Sequence, residues 1–392
     1  MVPKGWSSVQ AQDVCKSISV GVVIKPTQYY VPEGYGVKAF RSANVREGFI
    51  NDSDWVYFSH EGHAINKKSH LKTGDVLIVR TGYPGTACVV TPEFEGSNAI
   101  DIVIARPDMD KIIPEYLCAY TNSHIGKSQV LDLQGGMAQK HLNVGAYQVL
   151  KINLPPLREQ KKIAQILLTW DNAISVTEKL LTNSQQQKKA LMQQLLTGKK
   201  RLLDENGVRF SGEWVYLTFD NAFIVANKKS TQVKSSDYLQ SGSIPIIDQG
   251  QSRIAGYCNN LEVYSDVPVI VFGDHTRCVK WIEFVFCPGA DGTQVIKTSK
   301  ILEPKLGYYL LSNTDIPNLG YSRHMRELKE KDFRLPLDIK EQQKIAAVLS
   351  AADVEISTLE KKLACLKDEK KALMQQLLTG KRRVKVDEAV AA

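Results

Sequence analysis

The chain has 392 residues, enough for two or three domains, and its 43% apolar content is ordinary for a globular protein. No apolar run approaches the ~18 residues of a membrane span, and the start MVPKGWSSVQ lacks a secretory pattern, so we expect a cytoplasmic protein with no membrane role. Fifty Lys and Arg residues against 42 Asp and Glu give a net charge of +8. This excess suits a polyanionic partner, but it does not by itself identify the partner.

Residues 1–152 are predicted to form a first strand-rich domain. Runs of β-branched and apolar residues lie at 75–79 and 102–104, and the turn sequence Gly82-Tyr83-Pro84-Gly85 separates them. Such runs, bounded by glycine and proline, are typical of buried strands.

Residues 153–200 are predicted to form a long helix. Pro155-Pro156 precedes its start, and Gly198 is a candidate C-cap. Positions spaced alternately four and three residues apart form a heptad seam, typical of a coiled coil. That seam is Ile163, Leu167, Trp170, Ile174, Thr177, Leu181, Ser184, Lys188, Leu191 and Leu195.

Residues 201–334 are predicted to form a second strand-rich domain. It contains the run Val267-Pro268-Val269-Ile270-Val271-Phe272 and the turn Ala290-Asp291-Gly292. Each domain opens near a tryptophan, at Lys4-Gly5-Trp6 and at Gly212-Glu213-Trp214. Apart from this, the two domains differ in sequence.

Residues 335–392 are predicted to form a second helix and a tail, and the helix repeats the first. The sequence KKALMQQLLTGK occurs at 188–199 and again at 370–381, an offset of 182, and Glu159-Gln160 recurs as Glu341-Gln342. The second seam is Ile345, Leu349, Ala352, Ile356, Leu359, Leu363, Leu366, Lys370, Leu373 and Leu377. Two copies of one seam favour pairing of the helices with each other, and the alternative is two amphipathic helices on separate cores. Because the copies flank one domain and the chain must return, we expect an antiparallel pair.

No motif for catalysis or for a cofactor is evident. The nearest P-loop match, Gly126-Lys127-Ser128, has Thr121 where the first glycine is needed. Pro155-Pro156 lacks the aromatic residue of an amino-methyltransferase motif. Five E-x-K matches are background in a Lys/Glu-rich chain, and His60 with His63 lacks a further ligand at metal-site spacing. Seven cysteines without C-x-x-C spacing indicate reduced thiols. We therefore predict no catalytic residue, no metal and no cofactor.

The order domain, helix, domain, helix, with LPPLREQ and LLTGK at the helix ends, resembles the specificity subunits of type I restriction–modification systems. Further likeness lies in Phe272 to Arg277 with Gly289-Ala290-Asp291-Gly292, and in Gly74-Asp75-Val76-Leu77 through Gly85. The resemblance covers the whole chain.

The resemblance implies an α+β protein, with two mixed α/β target-recognition domains separated by two long helices that form an antiparallel coiled coil. It also implies double-stranded DNA as the ligand, each domain reading one half of a bipartite target while the helices set the spacing. The implied partners are two methyltransferase subunits and, through the complex, a restriction and translocation subunit. Two alternatives stay open: a stand-alone DNA-binding or coiled-coil adaptor protein, and a nuclease.

Candidate DNA-contacting residues are those able to read base edges or hold phosphates, namely Arg, Lys, Asn, Gln and His near turns. In the first domain they are Arg41, Asn44, Arg80, Tyr83, Gln139, Lys140 and His141. In the second they are Gln249, Gln251, His275, Arg277, Lys280, Arg323 and His324.

Overall fold

The structure is a computed structural model that describes residues 2–133, 141–318, 320 and 323–386. The chain divides into two compact units, one of residues 1–178 with 361–392 and the other of residues 179–360. Each unit holds one strand-rich domain and half of each long helix. The four predicted segments follow one another along the sequence. The boundaries between the compact units instead lie in the middle of the two long helices.

In its described residues the first domain contains twelve strands and five short α-helices. The strands are β1 (Ser7–Gln10), β2 (Cys15–Val20), β3 (Tyr30–Val31), β4 (Gly36–Phe40), β5 (Val45–Arg46), β6 (Phe49–Ile50), β7 (Val56–Ser59), β8 (Val76–Val79), β9 (Ala87–Val89), β10 (Asn98–Ala99), β11 (Ile102–Pro107) and β12 (Lys151–Leu154). The helices are α1 (Ala11–Val14), α2 (His60–Ile65), α3 (Pro114–Asn122), α4 (His124–Asp132) and α5 (Val144–Gln148).

These strands form two four-stranded sheets, ordered β2-β11-β8-β9 and β10-β4-β7-β3, and β1 pairs with β12 as a separate ribbon. Strand β8 lies between two cores, since Val76 and Ile78 pack in one apolar cluster while Leu77 and Val79 pack in another. Burial on both faces explains its continuous apolar sequence.

The second domain repeats this topology with fewer elements. After the long helix α6 (Leu157–Leu195), its strands are β13 (Trp214–Thr218), β14 (Phe223–Val225), β15 (Ile244–Ile247), β16 (Gly256–Cys258), β17 (Val269–Gly273), β18 (Val279–Ile282), β19 (Cys287–Pro288), β20 (Thr293–Thr298) and β21 (Asp332–Pro336). Its helices are α7 (Phe219–Ala222), α8 (Pro304–Ser312) and α9 (Met325–Lys329), followed by the long helix α10 (Ile339–Leu378).

The sheet order β14-β20-β17-β18 matches β2-β11-β8-β9, and the ribbon β13–β21 matches β1–β12. In each domain one short strand also runs parallel to its neighbour, β10 beside β4 and β19 beside β15. Two domains of different sequence therefore share one strand arrangement, and the predicted strands at 75–79, 102–104 and 267–272 are confirmed within three residues.

The two long helices pair antiparallel, which confirms the prediction. All twenty predicted seam positions are buried or half-buried. In the first unit Asp171 pairs with Lys370, and Glu178 lies 2.8 Å from Lys367. In the second unit Lys188 lies 2.5 Å from Asp353, and the Ser184 hydroxyl donates to Glu355 at 3.0 Å. Residue numbers on one helix rise as those of their partners fall.

The helix ends are capped as predicted. Gly198 and Gly380 adopt φ values of 70° and 69°, in the left-handed region that glycine occupies without a Cβ clash. In the described part of the chain, neither long helix has a stretch apolar enough to cross a lipid bilayer.

A buried glutamine joins each domain to the start of the helix that follows it. The Gln342 side chain accepts from the Glu303 backbone N–H at 2.7 Å and donates to the carbonyls of Ile301 and Pro336 at 2.9 and 2.8 Å. Gln160 makes the equivalent bonds to Ile113, Lys111 and Pro155. Both glutamines are 0% exposed, and each provides hydrogen-bond partners for one backbone N–H and two backbone carbonyls.

Replacing this glutamine tests the joint. Gln342→Ala leaves one backbone N–H and two carbonyls without their partner, so we expect the free energy of unfolding to fall by about 3 kcal/mol or more. Gln343→Ala, one residue along on the exposed side of the same helix, has the same change in helix propensity and should stay within about 0.5 kcal/mol. Urea denaturation measures both, and equal losses in the two variants would contradict the assignment.

Candidate nucleic-acid interface

Most of the candidate DNA-contacting residues lie just beyond the carboxyl ends of three strands in each domain. In the first domain these strands are β4, β8 and β10, which lead into Arg41, Arg80 and Asp101. In the second domain the equivalent strands β15, β17 and β19 lead into segments 248–251, 274–277 and 289–292. Because the topology is shared, the three loops of one domain correspond to the three loops of the other.

Arg80 is the centre of the first domain's cluster. Its Nε donates to the Leu142 carbonyl at 3.0 Å, and its two terminal nitrogens contact Asp101 and His141. The residue is 8% exposed. Its side chain therefore joins three segments that are distant in sequence and fixes His141, which is half-buried.

Arg41 and Asn44 hold the loop after β4. The Asn44 side chain accepts from the Arg41 backbone N–H at 2.9 Å and donates to the carbonyls of Asn51 and Ser53. Asn44 is 0% exposed, which corrects the expectation of a direct DNA contact because a side chain without accessible surface cannot reach a base edge. The Arg41 side chain is 34% exposed and lies 3.0 Å from Asp54, so its guanidinium is held at the surface.

Tyr83 is the most exposed candidate of the first domain, with 83% of its surface accessible. It lies at the tip of the β8–β9 hairpin between Gly82 and Gly85, whose φ values of 83° and 84° require glycine. Gln139 and Lys140 lie outside the described residues.

Asp274 is the centre of the second domain's cluster, at the position that Arg80 occupies in the first. Its backbone N–H donates to the Gly292 carbonyl at 2.7 Å, and its carbonyl accepts from the backbone N–H and from Nδ1 of His324, both at 2.8 Å. Its carboxylate accepts from the Met325 backbone N–H at 2.6 Å. Asp274 is 4% and His324 0% exposed, so the expected DNA contact by His324 is also corrected: its imidazole anchors the loop.

Gln249 and Lys280 anchor the same loops from the side. The Gln249 side-chain oxygen accepts from the His275 backbone N–H at 3.1 Å. The Lys280 ammonium donates to the carbonyls of Asp248 and Ser252 at 2.8 and 2.6 Å, and desolvation by burial is the main cause that lowers its pKa. Only 9% of the Lys280 side chain is exposed, so it supports the loop after β15 and is not presented to a ligand.

Arg277 adopts φ 61°, an uncommon conformation for a residue with a side chain, and its guanidinium donates to the Ile316 carbonyl at 2.8 Å. His275 is half-buried, with Nε2 4.0 Å from Asp291. Gln251 and Arg323 are exposed. The candidates thus separate into exposed or half-exposed residues and buried residues that position them.

Sequence reasoning missed the two acidic residues that organise these clusters, Asp101 and Asp274. The signal for Asp274 was present, since Arg80 and Asp274 both follow a run of fully buried strand residues. The described residues contain no group of three or more His, Cys, Asp or Glu arranged to hold a metal ion. All seven cysteines are unpaired, and burial raises the pKa of Cys88 to about 12, which makes it a poor nucleophile.

Removing the Asp274 carboxylate tests its anchoring role. Asp274→Ala leaves the part-buried Met325 N–H without its acceptor, so we expect the free energy of unfolding to fall by about 1–3 kcal/mol. Asp291→Ala alters an acid whose side chain is 76% exposed and should change it by less than about 0.5 kcal/mol. Chemical denaturation followed by near-UV circular dichroism measures both variants. An unchanged free energy of unfolding for Asp274→Ala would show that the loop does not depend on this carboxylate.

Residues 3–183 match the family model described as type I restriction modification DNA specificity domain. A Methanocaldococcus jannaschii protein that carries the name MjaX type I restriction enzyme specificity subunit is 26% identical over 98% of this chain and 95% of its own length. The MjaVIII specificity subunit of the same organism is 24% identical over 98% and 94%. The S subunit of a type I restriction-modification system from M. genitalium covers 96% of both chains with a TM-score of 0.62 at 13% identity, which shows a shared fold. Residues 3–183 are therefore similar to the type I restriction modification DNA specificity domain, and 98% of the chain is similar to proteins named type I specificity subunits.

Proposed function

We propose that the chain is the DNA-specificity subunit of a type I restriction–modification complex, in which each domain reads one half of a bipartite duplex target. The observation that carries this proposal is the set of three loops on equivalent strand ends in both domains. The scaffold is shared while the side chains on the loops differ, and such an arrangement suits two independent readers of different sequences.

The exposed loop residues have the chemistry of base and phosphate recognition. Arginine reads guanine through two hydrogen bonds and glutamine reads adenine in the same way, while most remaining basic contacts go to phosphate. Arg41, Gln251 and Arg323 meet this requirement with exposed or half-exposed side chains, and Tyr83 adds an exposed ring. Half-buried His275 and Arg277 lie in the loop after β17, and half-buried His141 contacts Arg80 in the loop after β8. The buried Asn44, Arg80, Lys280 and His324 act by positioning those loops.

The long helices, of 39 and 40 residues, connect the two readers and are proposed to set the spacing between the half-sites. We propose that catalysis belongs to partner subunits, because the polar clusters around Arg80 and Asp274 hold loops in place. A restriction and translocation subunit joins through the methylating complex. Because the proposed ligand is DNA, the complex is proposed to work in the cytoplasm.

Two copies of a methyltransferase subunit are the proposed protein partners. The repeated sequence 188–199 and 370–381 has the same burial at all twelve positions. Packing explains the identity of its buried leucines, but not that of its exposed residues. Upstream on the same helices only seven of the 23 positions from 165 to 187 match their counterparts from 347 to 369, so a recent duplication does not explain it either. The shared exposed polar residues are Lys189, Gln193, Gln194 and Lys199 in the second unit (the second docking face), and Lys371, Gln375, Gln376 and Lys381 in the first unit (the first docking face).

Arg323→Ala and Tyr83→Ala test DNA recognition by the second and first domains. Each should weaken binding of the cognate duplex by about 1–3 kcal/mol if its side chain contacts a base, without lowering thermal stability because both side chains are exposed. Fluorescence anisotropy with the assembled complex, at several salt concentrations, gives the affinities.

Gln186→Ala, on an exposed part of the first long helix, is the control and should leave affinity unchanged. A scrambled half-site distinguishes base reading from phosphate contact, because a phosphate contact loses the same affinity on every sequence. Unchanged affinity in both variants would contradict the proposed interface, and absence of any DNA binding would favour an adaptor for proteins alone.

Charge reversal on one docking face tests the two-partner proposal. Lys189→Glu with Gln193→Glu should reduce the methyltransferase subunits bound per chain from two to one, and adding Lys371→Glu with Gln375→Glu should reduce them to none, because like or unmatched charge at an interface centre opposes docking. Native mass spectrometry counts the subunits.

The matched control is Gln186→Glu, which places an acid on the same helix outside the repeated segment. It should keep two bound subunits. Two subunits retained by every variant would show that the repeated faces are not the docking sites.

A further inference from the structure

The two docking faces are identical on the helices, but the β-ribbons beside them differ. At the second docking face the Arg334 guanidinium donates to the Thr197 carbonyl at 2.8 Å. At the first docking face Asn153 donates to the Leu378 carbonyl at 3.2 Å. Arg334 on β21 and Asn153 on β12 are equivalent, because each pairs across its ribbon with the residue two positions after the domain's first tryptophan.

That cross-ribbon partner is Tyr216 in the second unit and Ser8 in the first. The Arg334 guanidinium lies over the rings of Trp214 and Tyr216, at 5.6 and 5.8 Å from their centroids. The Arg201 guanidinium also lies 5.6 Å from the centroid of the Trp214 ring. The result is an alternating series of guanidinium and aromatic groups: Arg201, Trp214, Arg334 and Tyr216.

Tyr216 is the outer end of that series, and 69% of its surface is exposed. In the first unit the series contains a single guanidinium–aromatic pair, in which Arg383 lies 5.6 Å from the Trp6 ring. The position equivalent to Tyr216 is the exposed Ser8. Tyrosine and arginine are, with tryptophan, the side chains enriched at the energetic centres of protein interfaces. Serine and asparagine at the same places offer much less.

We propose that the second docking face binds its methyltransferase subunit more tightly than the first, with Tyr216 and Arg334 as the residues that make the difference. The proposal rests on the proposed function, since it concerns the same two docking faces. Occupancy is then sequential: as the methyltransferase concentration rises, the face beside β13 and β21 fills first, and a complex with one methyltransferase is populated before the complex with two.

The test measures each face separately in the full chain. The variant Lys371→Glu with Gln375→Glu leaves only the second face, and Lys189→Glu with Gln193→Glu leaves only the first. Titration with the methyltransferase subunit, followed by sedimentation velocity or calorimetry, should give a Kd at the second face about 30-fold lower than at the first, the effect of one interface hot spot of about 2 kcal/mol.

Adding Tyr216→Ser and Arg334→Asn to the second-face variant should raise its Kd to that of the first face, because it installs the first unit's residues. Ser8→Tyr with Asn153→Arg should lower the Kd of the first face. Tyr35→Ser, which removes a tyrosine that is 73% exposed elsewhere on the first domain, is the control and should change neither value. Tyr216→Ser alone keeps the test valid should the Arg334 change disturb the ribbon.

Equal Kd values at the two faces would overturn the inference while leaving the two-partner function intact. Unequal values that survive Tyr216→Ser with Arg334→Asn would overturn the assignment to these residues. No binding at either face of the unmodified chain would overturn the proposed function itself, and this inference with it.

Discussion

The antiparallel pairing of the two long helices is the constraint on which the rest of the molecule depends. Lys188 and Lys370 occupy equivalent seam positions, so a parallel pair in register would place one ammonium against the other. The antiparallel arrangement instead places each lysine beside the aspartate of the opposite helix, Asp353 or Asp171. Half-buried charges that are satisfied in only one orientation cost some stability and specify that orientation in return.

This pairing assembles each unit from chain segments that are far apart in sequence. The second unit, for example, combines the end of α6 with the start of α10, where Arg201 lies 2.5 Å from the buried Glu341. The first unit repeats the contact with Arg383 and Glu159 at 2.6 Å. Beside each ion pair a buried glutamine fixes the domain to its helix. The helix pair therefore determines the orientation of the recognition loops within each unit. A reader of DNA needs this rigidity, because hydrogen bonds to base edges tolerate little displacement.

The two domains then separate scaffold from recognition. Their sheets agree in strand order, while the residue after the central buried strand is Arg80 in one and Asp274 in the other, of opposite charge. Each is buried and bridges to a segment that carries a histidine, His141 or His324. The same position therefore anchors the loops through different chemistry, which leaves the exposed tips free to differ between the two half-sites. The proposed difference in affinity between the docking faces follows the same pattern, because identical helix segments lie beside ribbons with different side chains.

The sequence by itself determined the long helices, their seam, their glycine caps and the apolar strands, because these features depend on periodicity and on local conformational preference. It also predicted candidate DNA-contacting residues near turns, which remains a prediction. Only the tertiary structure decided which of these residues are accessible. Asn44 and His324 looked suited to bases, yet both are buried, and their hydrogen-bond partners lie 3 to 50 positions away in the sequence. Arg80 likewise depends on Asp101 and His141. Burial of a polar group is set by distant neighbours that supply its hydrogen bonds, and no local pattern in a single sequence records them.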